Sequence, residues 1–193
     1  EYTDGIIVQR PILIPGWDIK HANSEVAIVM SDFVDIDGIK SSSPFVPPSV
    51  RGLDLLLKEW DYDPAGKSAV VLGRGDVGRP VMEYLLGRNA TVTIAHSKTS
   101  QVHLVDLLNS SQIIVGAAGL KYPVIPLSWA PERIIIDYGI TKGEDNKLHG
   151  DISEVYAFRC KYQTSAPGGM GLMVRAGLLL NIMDAYKIRR GMK

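Results

Sequence analysis

Residues 70–78 read VVLGRGDVG, an apolar run that passes without interruption into three glycines spaced G-x-G-x-x-G. Behind them, Val81, Leu85 and Leu86 recur at helical spacing. A strand delivered into such a loop and out into a helix leaves few folds open. Gly73 and Gly75 let the chain turn sharply and bring its backbone close to a ligand, while Gly78 permits a helix to pack on the strand. The N–H groups that open the helix then face any anion in the loop. Glycines at this spacing also occur in ordinary turns, but the strand before and the helix after favour dinucleotide binding.

The same alternation continues downstream. Strands are predicted at Ser68–Leu72, Thr91–Ala95, 113–117 and 134–138, with helices near 77–88 and 101–109, which is the pattern of an α/β, Rossmann-type doubly wound parallel sheet. Residues 53–60 carry apolar positions at helical spacing. Residues 171–188 are apolar almost all round and predict a long, mostly buried helix. Upstream, 5–15 reads as a short strand ending at Pro11 and 24–33 as a small helix or strand. Residues 40–48, rich in Ser and Pro, read as a loop at a lobe boundary. The expected organisation is a partial N-terminal α/β lobe at 1–52, a Rossmann domain at 53–171, and a C-terminal helix at 172–193 packing back on the lobe. Glu1 is not Met and an apolar run follows almost at once, so processing, truncation or a preceding leader is expected, any of which could carry a targeting peptide.

Composition narrows the partners. Among 193 residues, Lys+Arg and Asp+Glu are both 21, so no net charge is available to hold nucleic acid or an anionic membrane surface. No run approaches the ~18 apolar residues of a spanning helix. The lone Cys160 can form neither an internal disulfide nor a thiolate metal site, and no metal is expected. A single thiol suits a reducing compartment, cytoplasm or mitochondrial matrix.

The end of the second strand bears on the choice of cofactor. A carboxylate about 20 residues beyond the glycines normally accepts from the ribose hydroxyls of NAD. Here the chain has His96, Ser97, Lys98 and Thr99, and with Arg74 in the loop it offers cations and hydroxyls suited to a 2′-phosphate. NADP is favoured over NAD. The plain alternative is a polar turn.

The segments GRGDVGRPVMEYLL, ATVTIAHSKT, SSQIIVGAAG, RIIIDYGI, KLHGDI and APGGMGLM occur in one order along the chain, with GIIVQRPI and DFVDIDG upstream. In that order and spacing the sequence resembles the methylenetetrahydrofolate dehydrogenase/cyclohydrolases. The resemblance implies oxidation of 5,10-methylenetetrahydrofolate to the methenyl compound by hydride transfer to NADP. It also implies, in many members, hydrolysis to 10-formyltetrahydrofolate. Gln9 falls on a position beside the reaction centre, and Asp37 on the carboxylate that grips the pterin ring. Pro167, Gly168 and Gly171 fall on the stretch passing close to folate. Gly73, Arg74, Gly75, Ser97, Gly119 and Ile140 fall on positions lining the cofactor, and the glycine loop and the HSKT residues add Gly78 and His96 as cofactor-binding candidates. His103 and His149 have no counterpart and read as surface residues. The implied partners are a tetrahydrofolate derivative and a second copy or a larger complex.

The chain also departs from the family. Its glycine loop is one residue shorter, Pro47-Pro48-Ser49-Val50 replaces PCTP, and Val174 replaces a Thr. The Lys and Tyr that the family uses for hydrolysis precede the segment containing Gln9, and no counterpart stands in this sequence. A second reading therefore stays open, a non-catalytic dinucleotide-binding or structural subunit. A third is a Rossmann oxidoreductase of another substrate class.

Overall fold

The computed structural model describes residues 3–8, 12–119, 130–153 and 159–192. In chain order these form α1 (Ile19–Val29), a 3-10 turn (Asp32–Val34), α2 (Pro48–Glu59), β1 (Ser68–Leu72), α3 (Gly78–Gly87), β2 (Thr91–Ala95), α4 (Gln101–Ser110), β3 (Ile113–Gly116) and β4 (Ile134–Asp137). A hairpin of β5 (Thr141–Lys142) and β6 (Leu148–His149) follows, then β7 (Tyr162–Gln163) and α5 (Met170–Arg189). Five strands make one sheet in the order β2-β1-β3-β4-β7, every neighbour parallel. The doubly wound α/β expectation holds.

The two-residue side-chain period of a strand explains the layers. Ala69 and Val71 of β1, with Ile113, Val115, Ile134 and Ile136, face Leu53 and Leu57 of α2, Val81 and Leu85 of α3, and Met170. Val70 and Leu72, with Ile114 and Ile135, face the other way onto Leu108 of α4. Burial on both faces requires continuous apolar runs, which is why β1, β3 and β4 stand out in the sequence. β2, at the edge, alternates instead. From β1 the chain leaves through α3 to one side, then returns across through α4 to β3 on the other side. The crevice where the order reverses opens at the carboxyl ends of β1 and β3.

Several expectations need correction. α2 starts at Pro48, five residues before 53, because a proline at the first helical position has its φ already set and needs no N–H partner. α5 is long but not mostly buried. Only Met170, Gly177, Asn181 and Ala185 are buried, while Leu179, Met183 and Ile188 are exposed. Its buried row, Gly177, Asn181 and Ala185 at i, i+4 and i+8, meets α2 at Gly177 and the segment before α2 at Asn181 and Ala185. The strand expected over 5–15 is reduced to one bridge, Ile6 with Asp35. Residues 9–11 lie outside the described ones, and 12–15, ending in a proline, form no ladder. The 24–33 segment is helical from Ile19. β7 and the β5–β6 hairpin, at two residues per strand, are too short for an alternation to show. Among the described residues no helix is long and apolar enough to cross a membrane.

Candidate functional site

Parallel pairing puts the carboxyl ends of all five strands on one edge, and most of the sequence candidates sit there. Gly73 follows β1. Its N–H donates to the Ala95 carbonyl at 2.9 Å, which ties the glycine loop to the end of β2. Its φ is +108°, and a Cβ there would lie 2.3 Å from the Ala117 carbonyl oxygen beyond β3. Gly78 is closed in the same way, its missing Cβ lying 2.2 Å from the Gly73 carbonyl oxygen. These two glycines hold β1, the α3 start and the loop after β3 at backbone contact. Gly75 and Gly119 differ, since a Cβ on either would meet nothing within 4 Å. Both open outward. Arg74 is exposed, and the Nε of Arg79 donates to the Arg74 carbonyl at 3.1 Å.

At the end of β2 the HSKT residues fold into a tight turn. The His96 N–H donates to Thr99 Oγ1 at 3.0 Å and the Thr99 N–H to the His96 carbonyl at 2.8 Å, leaving Ser97 and Lys98 exposed. Ile140, just past β4, is 54% exposed. Beyond β7, Pro167 and Gly168 lie in the turn into α5, and Gly171 lies in the first turn of that helix. Gly168 has φ +103°, and the side of Gly171 is open.

Asp37 belongs to another part of the molecule. Its Oδ2 accepts the Val8 N–H at 3.0 Å, and the carbonyl of the preceding Ile36 is held by Asn181 Nδ2 at 2.7 Å. Asn181 lies eleven residues beyond Met170, about 16 Å along α5. Asp37 and the 167–169 turn are thus joined through that helix. Gln9 lies outside the described residues. His103 is exposed as expected. His149 is half-buried, with Nε2 at 2.9 Å from Asp145 Oδ1, an exposed carboxyl held below its usual range chiefly by that contact. Among the described residues no cluster of His, Cys, Asp and Glu could hold a metal.

The sequence reading passed over two buried carboxylates at this edge, Asp137 at the end of β4 and Asp151 after β6. Burial pushes the Asp137 carboxyl up to about 6, against the N–H groups of Ile152, Asp151 and Gly139, which pull it down. Asp151 Oδ2 accepts from the Ala118 and Gly119 N–H groups at 2.6 and 3.1 Å. An acid closing the all-apolar run IIID was the available signal. Tyr138, beside Asp137, donates its hydroxyl to the Ser49 carbonyl at 2.8 Å, and burial holds that phenol well above its usual range.

The edge can therefore take an elongated anion, one end of which meets a cationic turn. Two outward-opening glycines flank the crevice, helix N–H groups start at Gly78, and Arg74, Ser97 and Lys98 stand exposed beside it without a carboxylate on the HSKT turn.

A family model described as tetrahydrofolate dehydrogenase/cyclohydrolase, NAD(P)-binding domain, matches residues 47–190. The bifunctional protein FolD of Campylobacter hominis is 37% identical over 97% of this chain and 67% of its own length. That of Magnetococcus marinus is 36% identical over 95% and 66%. The chain thus spans about two thirds of the length of the curated relatives it matches. Among solved structures, the Trypanosoma brucei N5,N10-methylenetetrahydrofolate dehydrogenase-cyclohydrolase, complexed with NADP cofactor and inhibitor, superposes with a TM-score of 0.80 at 30% identity, covering 96% of this chain and 67% of that one. Since these matches run through the HSKT turn and the PGGMG stretch as well as the glycine loop, the chain belongs to the tetrahydrofolate dehydrogenase/cyclohydrolase family.

Proposed function

We propose that the chain binds NADP and oxidises 5,10-methylenetetrahydrofolate to 5,10-methenyltetrahydrofolate. The observation that carries this reading is the open glycine crevice between β1 and β3 with a carboxylate-free, cationic turn beside it. The family supports the substrate, and the T. brucei relative supports the choice of NADP over NAD.

When bound, NADP supplies the hydride acceptor. The protein has to align two flat partners, because the folate nitrogens themselves stabilise the cation left when hydride departs. Gly73, Gly75 and Gly78 shape the pyrophosphate loop. Arg74, His96 and Ser97 meet the 2′-phosphate, and Gly119 and Ile140 line the rest of the cofactor. Pro167, Gly168 and Gly171 border the folate, where absent side chains allow approach. Asp37 grips the pterin edge by accepting its N–H groups, and the family resemblance assigns Gln9 to the reaction centre.

Hydrolysis of the methenyl product is the second activity that the relatives' names carry. It needs a residue to move protons, and none of the candidates above is a Lys or Tyr, so only the dehydrogenase step is assigned to them. The reading of the chain as a non-catalytic subunit draws no support from these residues, since the loop and both turns are in place. A homodimer or larger assembly belongs to the proposal, because α5 exposes Leu179, Met183, Tyr186 and Ile188. A reducing compartment suits the lone Cys160.

Fluorescence titration with NADPH and NADH tests the cofactor, and turnover of 5,10-methylenetetrahydrofolate with NADP tests the substrate. NADPH should bind at least about tenfold tighter than NADH, as a phosphate held by Arg74 and Ser97 requires. Equal binding, or binding without turnover, sinks the corresponding half of the proposal.

A further inference from the structure

We propose that Asp151 is a positioning residue for the dinucleotide, holding the turn 117–119 in the shape that lines the crevice between β1 and β3. This rests on the reading of that crevice as the cofactor site.

The side chain is fully buried, and its Oδ2 accepts the N–H groups of both Ala118 and Gly119, at 2.6 and 3.1 Å, from more than thirty residues away in sequence. In a trans peptide the N–H and C=O point in opposite directions. Fixing the Ala118 N–H on Asp151 turns the Ala117 carbonyl the other way, and this is the oxygen that lies 2.3 Å from where a Cβ of Gly73 would stand. Fixing the Gly119 N–H likewise turns the Ala118 carbonyl away from Asp151, on a residue that is itself exposed. One carboxylate thereby orients two successive peptide planes. It sets the wall that closes on Gly73 and the acceptor presented outward.

Asp151 is itself seated by Asp137, whose Oδ1 accepts the Asp151 N–H at 3.1 Å and the Gly139 N–H at 2.8 Å. Asp137 Oδ2 takes the Ile152 N–H at 2.8 Å, and its own N–H donates to Thr164 Oγ1 at 2.7 Å, ahead of the 167–169 turn. Three glycines make room for the pair. A Cβ at Gly139 would lie 2.3 Å from Asp151 Cγ, one at Gly150 would lie 2.2 Å from Asp137 Oδ2, and one at Gly116 would lie 2.9 Å from both Asp137 Oδ1 and Asp151 Cβ. Seating two carboxyl groups side by side in the interior is costly unless each is hydrogen-bonded. Two of the N–H groups bonded to Asp151 are those of the crevice wall, so the seating of Asp151 and the shape of that wall are coupled.

The test separates the ends of the ligand. The adenosine end is assigned to the end of β2, and β1 lies between β2 and β3, so the 117–119 turn is about 10 Å away. Asp151→Asn should weaken NADPH binding about tenfold or more while leaving 2′,5′-ADP binding within about twofold. Unchanged NADPH binding overturns the proposal, as does equal weakening of both ligands, which marks a general loss of fold. A wild-type chain that binds no NADPH overturns the cofactor reading first and this inference with it. If Asp151→Asn does not fold, amide hydrogen exchange of the wild-type chain decides. The Ala118 and Gly119 amides should exchange about tenfold or more slower than unbonded amides, despite the exposure of both residues, and unprotected amides overturn the inference.

Discussion

One missing carbon atom has different consequences at Gly73 and Gly75, two residues apart. At Gly73 a Cβ would strike the Ala117 carbonyl while the backbone sits at φ +108°, so Gly73→Ala carries both overlap and backbone strain. A loss of about 2 kcal/mol or more is expected, measured by urea unfolding. At Gly75 nothing stands within 4 Å and φ is not positive, so Gly75→Ala should change stability by no more than about 0.5 kcal/mol. Its cost appears when phosphate must come close, as NADPH affinity about tenfold lower. Equal loss of stability in the two variants would contradict this division. The spacing of the glycines is plain in the sequence. Which of them packs and which stays open depends on the 117–119 turn, brought alongside by pairing of β1 with β3.

Among the elements, α2 and α5 are the closest-packed pair of helices, and glycines set that distance. A Cβ on Gly52 would lie 2.6 Å from the Met173 carbonyl oxygen, and one on Gly177 would lie 2.6 Å from that of Pro48. In an open helix, Gly→Ala gains up to about 1 kcal/mol from backbone entropy. Gly177→Ala should instead lower stability by about 1–3 kcal/mol, because the two backbones must separate. Gly87→Ala, on α3 with nothing within 4 Å, should show the ordinary gain, and thermal melts of the two variants should move in opposite directions. Periodicity located α5 but misjudged its burial. The apolar residues of α5 exceed the width of the face it packs, so hydrophobicity alone does not show which side meets α2.

At the scale of the whole molecule, the segment before α2 meets α5 around one buried polar side chain. Asn181 is fully buried, its Nδ2 donating to the Ile36 and Val46 carbonyls at 2.7 and 2.8 Å and its Oδ1 accepting from Arg51 at 2.5 Å. Around it pack Ile36, Phe45, Leu178 and Ala185. Asn181→Ala strands those partners, at about 2–4 kcal/mol. Hydrogen exchange should rise about tenfold or more at the amides of Ile36, Gly38 and Phe45 and stay unchanged in β1, β3 and β4. An equal rise in the sheet would show that the segment and the sheet unfold together. From sequence alone, strands buried on both faces, the loop glycines and the polar HSKT turn were determined, because each is written in neighbouring residues whose chemistry or period is local. Tertiary structure alone decided the strand order, the joining of β7, the buried row of α5, and the meeting of Asp137 with Asp151. Those outcomes depend on contacts between residues far apart in the chain, and no local pattern records which distant backbone will supply the N–H groups a buried carboxylate requires.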